Sequence, residues 1–138
     1  MSFETVQITL EERMDTQWAL SIKKRVKVAY ENARFTPSRG ESWMRFTVSM
    51  GDGNQIAMGG SSIKQYRNVG VIIIQCFVGE NKGVQQAKKL ASIAGEIFRS
   101  QTLAGNIQCR APGIIEVGEN KGWFQCNVNI PFYWDEFI

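Results

Sequence analysis

The chain predicts an α+β fold. One domain, residues 1–138, holds a mostly antiparallel sheet of about five strands with two helices packed on one face and a long hairpin between the second and third strands. Three patterns support this. Two segments place apolar residues every three or four positions, the period of a helix with one buried face. Several others alternate apolar and polar residues with period two, the mark of a half-buried strand. The order along the chain is helix, three strands, helix, two strands.

Phe3, Val6, Leu10, Met14 and Trp18 make the stripe of the first helix, expected over residues 2–18 with Ser2 as its cap. Residues 23–30 read as the first strand. Val26, Val28 and Tyr30 point one way; Arg25, Lys27 and Ala29 point the other. A loop over 32–40, with Thr36-Pro37-Ser38 turn chemistry, leads to a second strand over 42–50. There Met44, Phe46 and Val48 oppose Trp43, Arg45 and Thr47. Residues 51–62 hold four of the thirteen glycines, which predicts a flexible hairpin tip rather than a further element. The third strand spans 65–78. Its run Val71-Ile72-Ile73-Ile74 is apolar on both faces and belongs at the centre of a sheet.

The second helix spans 84–100, with Val84, Ala87, Leu90, Ala91, Ala94 and Ile97 in its buried stripe. Gly95 inside it costs about 1 kcal/mol relative to alanine, a sign of close packing on the sheet. Residues 102–105 close the helix. Ile107, Cys109 and Ala111 begin a fourth strand that Pro112-Gly113 interrupts and Ile114 to Val117 resume. The fifth strand starts at Trp123. It places Phe124, Cys126, Val128 and Ile130 on one face and the neutral Gln125, Asn127 and Asn129 on the other. That amide face suits protein contact or water better than bond-making.

Composition narrows the function. Sixteen basic against thirteen acidic residues leave +3, too little to argue nucleic-acid affinity alone. No apolar run reaches the ~20 residues that span a bilayer. The absence of histidine removes the commonest general base and metal ligand. Cys76, Cys109 and Cys126 lie far apart and read as buried free thiols, not a zinc site or a disulfide framework. No cofactor or metal is implied. Gly51-Asp52-Gly53 and Gly59-Gly60-Ser61-Ser62 lack the lysine and following helix of a phosphate loop, and Asp52 lacks the spaced carboxylates of a calcium loop.

Several stretches together resemble a family, the small tail terminator, or tail completion, proteins of long-tailed bacteriophages. They are Ala29-Tyr30-Glu31-Asn32-Ala33-Arg34-Phe35-Thr36-Pro37, then Trp43 to Val48, Gly59-Gly60, Tyr66 to Gly70, Gln75 to Val78, and Gly118 to Val128. The loop with its Glu-Asn-x-x-Phe-x-Pro spacing and the strand opening Gly-Trp-Phe-Gln are the most specific pieces. The basic run Lys23-Lys24-Arg25 stands outside the resemblance.

The resemblance implies a virion structural protein without enzymatic activity, assembled in the host cytoplasm. It implies a homo-hexameric ring on the head-proximal end of the tail tube, which stops tube growth and offers the head-tail joining surface. Its partners would be itself, the major tail tube protein and head-tail connector proteins. Genome DNA would pass through without specific binding.

Three contact elements are expected: the hairpin tip with Gly51, Asp52, Gly53, Met58, Gly59 and Gly60; the loop centred on Phe35 and Pro37; and Trp134 and Phe137, read as lying beyond the last strand. These last two either meet a neighbour or fold back on their own core. Lys64 and Arg67 are candidate lumen- or DNA-facing residues. The alternatives are another ring at the same junction, a nucleic-acid module using Arg34, Arg39, Arg45, Lys64 and Arg67 with Phe35, Trp43 and Tyr66, or a small carboxylate hydrolase or transferase using Asp52, Glu116 or Glu119.

Overall fold

Ser2 caps the first helix. Its hydroxyl accepts the Thr5 amide at 3.1 Å, and α1 (Phe3–Ala19) buries Val6, Leu10, Met14 and Trp18. The computed structural model describes residues 2–38, 40–51, 53–58, 63–79 and 83–137. After α1 come β1 (Lys27–Tyr30), β2 (Trp43–Met50), β3 (Asn54–Met58) and β4 (Lys64–Gly79). Helix α2 (Val84–Phe98) follows, then β5 (Thr102–Leu103), β6 (Ile107–Cys109), β7 (Gly113–Asn120) and β8 (Trp123–Phe137).

The spine is the antiparallel pair β4–β8, in register from Gln65 opposite Phe137 to Gly79 opposite Trp123. At ~3.3 Å per residue this ribbon is about 50 Å long. Shorter strands are laid end to end along each flank: β2 and β3 beside β4, β7 and β6 beside β8. Strand β1 adds to β2, and β5 adds to β6. Both helices cover one face, where Met44, Phe46, Ile74, Val128 and Ile130 join their stripes in a single core. Arg13 of α1 ties the helices together by donating Nε to the Ile97 carbonyl at 3.0 Å, near the end of α2 where intrahelical donors run out.

The predicted class holds: one domain, two helices and a sheet. The strand count and the pairing differ. Among the described residues there are eight strands, not about five, and the sheet is mixed, because β1 runs parallel to β2. The first strand begins at Lys27, not Lys23; residues 23–26 turn instead, with the Val26 amide donating to the Lys23 carbonyl. The expected hairpin tip contains β3, which pairs Asn54–Met58 with the start of β4 through a bulge between Gln55 and Ala57. Glycine content hid it, because the partner strand and not local propensity holds it extended. Thr102–Leu103, read as the close of a helix, is a short strand, and α2 stops at Phe98. Val84 is exposed instead of joining the buried stripe.

The interruption between β6 and β7 falls where expected, and it has a second cause. Pro131 of β8 offers no amide hydrogen, and its carbonyl takes the Arg110 amide at 2.8 Å on that same flank. A proline on each side of the break leaves no continuous ladder. Gly95 allows the close approach expected of it: a Cβ there would sit 3.1 Å from Pro112 and 3.5 Å from Val128.

Gly70 is required by the ribbon. It lies opposite Phe132, and a Cβ at 70 would come within 2.5 Å of the Phe132 ring and 2.9 Å of the Ser49 carbonyl. Gly70→Ala is therefore expected to lower stability by about 1–3 kcal/mol, read from urea unfolding. An unchanged midpoint would refute the packing argument.

Candidate assembly surfaces

The helix-free face carries three regions of different chemistry. At one end Trp43 of β2 stacks on Phe77, its direct partner on β4, with ring centroids 4.2 Å apart. Phe35 lies 5.3 Å from Trp43, and Trp123 meets it edge-on at 6.1 Å. This aromatic cluster exists because β1 and β2 are parallel. The chain must return over the sheet to start β2, and Phe35 pins that return to Trp43. Phe35 is thus half-buried against its own sheet, Pro37 beside it is also half-buried, and Arg45 stands 5.4 Å over the Trp43 ring.

Further along, Thr47, Gln75, Asn127 and Asn129 stand in neighbouring rows, with Arg45 beside Gln75 and Ile73 between Thr47 and Asn129. Gln125 donates Nε2 to Asn127 Oδ1 at 2.8 Å. The amide face read from alternation is therefore present, although Gln125 itself is buried.

At the far end, Arg67 and Asp135 form a two-pronged pair at 2.8 and 3.0 Å, and Gln65 donates to the same carboxylate at 2.9 Å. Tyr133 lies beneath Arg67 at 4.3 Å and near Arg110 at 5.3 Å. A cavity of about 240 Å³ opens there, with Phe137 on its wall. The hydrogen bond from Arg67, helped by Gln65, holds the Asp135 carboxyl below its ordinary value of 3.8 against the opposing effect of burial.

The expected contact residues therefore separate. Trp134 lies inside β8, not beyond the last strand. It is 0 % exposed, edge-on to Phe3 at 5.6 Å, and so takes the fold-back alternative. Phe137, also within β8, is 67 % exposed. Gly51 donates its amide to the Val69 carbonyl at 2.8 Å, and a side chain at Gly53 would collide with Asn68. Met58 ends β3, whereas Asp52, Gly59 and Gly60 lie outside the described residues. Of the two candidate DNA-facing cations, Lys64 is exposed and Arg67 has its charge matched by Asp135.

The nucleic-acid set does not form one patch. Arg45 and Trp43 sit near Phe77, and Arg67 lies ten residues along the same strand, ~33 Å away. Arg39 is outside the described residues. Of the carboxylates considered for chemistry, Asp52 is also outside them, Glu116 forms an exposed ion pair with Lys88 at 3.5 Å, and Glu119 is exposed. All three cysteines are buried free thiols. Burial pushes Cys76 up to about 12 and Cys109 up to about 11, far from the thiolate form that reacts.

Sequence reasoning did not single out the edge strand β7. Ile114, Ile115 and Val117 are exposed along it, and Leu20 and Ile22 are exposed beside β1. The signal available was the apolar triplet around Glu116, which reads equally as an interior strand.

These features define a protein of surfaces: a long two-faced sheet, open edges and shallow cavities. A family model described as phage tail terminator protein matches residues 5–132. The chain belongs to that family, which is one of structural proteins of the phage tail. No curated protein matches it. A solved structure named only by a sequence label superposes with a TM-score of 0.68 over 100% of this chain and 98% of its own, at 17% identity, a likeness of fold alone. Among the described residues no helix is long and apolar enough to cross a membrane.

Two outcomes follow. The folded-state pKa of Asp135 lies below its unfolded value, so the stabilisation from its pair with Arg67 is complete above about 3.8 and disappears as pH falls through the depressed value. Asp135→Asn should flatten the acid limb of stability against pH, measured by urea midpoints. The thiols should stay inert to a thiol-specific dye in the native state, and all three should react on unfolding in denaturant.

Proposed function

We propose that the protein is a tail terminator that acts as a closed ring, with six copies as the expected number, seated on the head-proximal end of the tail tube. There it stops tube polymerisation and offers the surface to which the head joins. The observation that carries this reading is the family match over residues 5–132. A closed ring needs two different surfaces on each subunit, joined head to tail with a rotation that closes. A specific contact of this kind buries on the order of 800 Å² per partner. The sheet edges, the loop with Pro37, the segment from Gly51 to Gly60 and the exposed Phe137 supply the material.

The reading extends to the partners: the tube protein below, connector proteins above, and genome DNA passing through. The amides of the open face and the neutralised Arg67 support weak contact with a passing duplex, since each phosphate contact adds salt-dependent affinity that would hold it back. The same neutralisation disfavours the nucleic-acid module, and nothing on the chain favours another ring of the junction.

The test is a tube-assembly reaction. Purified tube protein alone should polymerise without a fixed end. Adding this chain should cap tubes at one end with annuli visible by electron microscopy, and should halt growth at a small fraction of the tube-subunit concentration. Tubes that lengthen unchanged, with no annulus at either end, would overturn the proposal.

A further inference from the structure

The sheet ends in two open edges that match each other. Row by row, Lys27, Trp43, Phe77, Gln125 and Gly118 cross the whole sheet. So do Tyr30, Phe46, Ile74, Val128 and Ile114. Strands β1 and β7 are therefore the two boundaries of the same block of rows. No described strand pairs with the outer side of either. Strand β1 runs with β2, β4 runs against β2, β8 against β4, and β7 against β8. It follows that β7 is antiparallel to β1.

The edges are also complementary in character. The β7 edge is apolar with two exposed carboxylates: Ile115 is 51% exposed, Glu119 follows Gly118, and Glu116 shares an exposed ion pair with Lys88 at 3.5 Å. The β1 edge is apolar, with its exposed lysines at the Lys24–Lys27 end and carboxylates at the Tyr30 end. A groove of about 390 Å³ runs along it, lined among others by Asp15, Trp18, Lys24, Val26, Lys27 and Tyr30, and Glu11 and Glu31 stand beyond Tyr30. An exposed apolar edge strand is an aggregation hazard unless something covers it. Here an edge carrying Glu116 and Glu119 lies at the same level of the same sheet as the one carrying Lys24 and Lys27.

We infer that β7 of one copy docks antiparallel against β1 of the next copy, Glu116 and Glu119 facing the Lys24–Lys27 side, so that the sheet continues from subunit to subunit. This rests on the ring reading and deepens it by naming the two surfaces that join. The contact is heterologous, as a ring requires, and its main-chain pairing is strand addition at an exposed edge. Five strands at ~4.8 Å give each copy about 24 Å of circumference, so six copies make a band about 46 Å across. That is far wider than a barrel whose side chains fill its interior, and it leaves an open passage.

Charge reversal on the full-length chain tests this, with assembly read by native mass and by capping of purified tubes. Lys24→Glu with Lys27→Glu should weaken assembly about tenfold or more, and so should Glu116→Lys with Glu119→Lys. All four side chains are exposed, and the one ion pair among them, Glu116 with Lys88, is a surface pair of small worth, so each variant should stay close to the wild-type urea midpoint.

Mixing the two variants should restore assembly, because the acidic β7 of one meets the basic β1 of the other and the reversed pair also matches. Alternating rings of even number should result. Amides of β1 and β7 should gain protection from hydrogen exchange on assembly. If both variants assemble like the wild type, or if the mixture fails to recover, the edge pairing is wrong while wild-type annuli keep the ring reading intact. If the wild type itself never forms annuli beside tubes, both readings fall together.

Discussion

The pairing of β4 with β8 is the interaction on which everything else in this molecule is hung. It supplies the two central strands, and every other strand but β1 and β5 pairs directly with one of them. The ribbon is long enough to need two strands per flank, which is why β3 and the β6/β7 pair exist as separate pieces. Gly70 lets the strands stay in register where the Phe132 ring must lie across the backbone. A one-residue slip would move Ile72, Ile74, Val128 and Ile130 from the helix side to the open side, so the core itself enforces the register.

The single parallel strand changes what the open face can be. Returning from β1 to β2 takes the chain across that face, and the return is fastened by Phe35 on Trp43. A second, smaller apolar cluster of Ala29, Trp43 and Phe77 forms as a result. Where β1 ends, the Glu31 carboxylate accepts the Val48 amide at 2.6 Å and stands in for the strand neighbour that β2 has lost. The Glu-Asn-x-x-Phe-x-Pro segment is thereby explained in physical terms: its acid finishes the sheet edge and its aromatic ring locks the return.

Much of this is legible in the sequence. Helical spacing found both stripes apart from their first members, Phe3 and Val84, which are exposed, and alternation assigned the core faces of β2 and β8; on β1, Ala29, on the side of Lys27, is buried in the second cluster. The elements that escaped are those whose conformation is set by a distant partner. Strand β3 sits among glycines, and Thr102–Leu103 is too short for a periodic signal. The outer part of β8 follows Pro131, which reads as a strand end until Arg110 is seen on its carbonyl. That is why Trp134 looked like a loose end and is instead in the core. Arg67 looked like a solvent-facing cation because Asp135, sixty-eight residues away, gives no local sign of being its partner. Edges are harder still, since strand order is a property of the whole sheet.

The position of β8 in the chain has a consequence for synthesis. Its partners on β4 lie between forty-four and seventy-two residues earlier, from Gly79–Trp123 to Gln65–Phe137. While the ribosome is still delivering residues 80–122, β4 has β2 on one side and nothing on the other, with its Val-Ile run awaiting cover. Long-range pairing of this kind is slow and prone to misassociation. The β7 boundary is laid down only when β8 arrives to hold it. A nascent chain therefore presents no settled β7 edge, and the docking proposed for that edge would have to wait until β8 has been delivered.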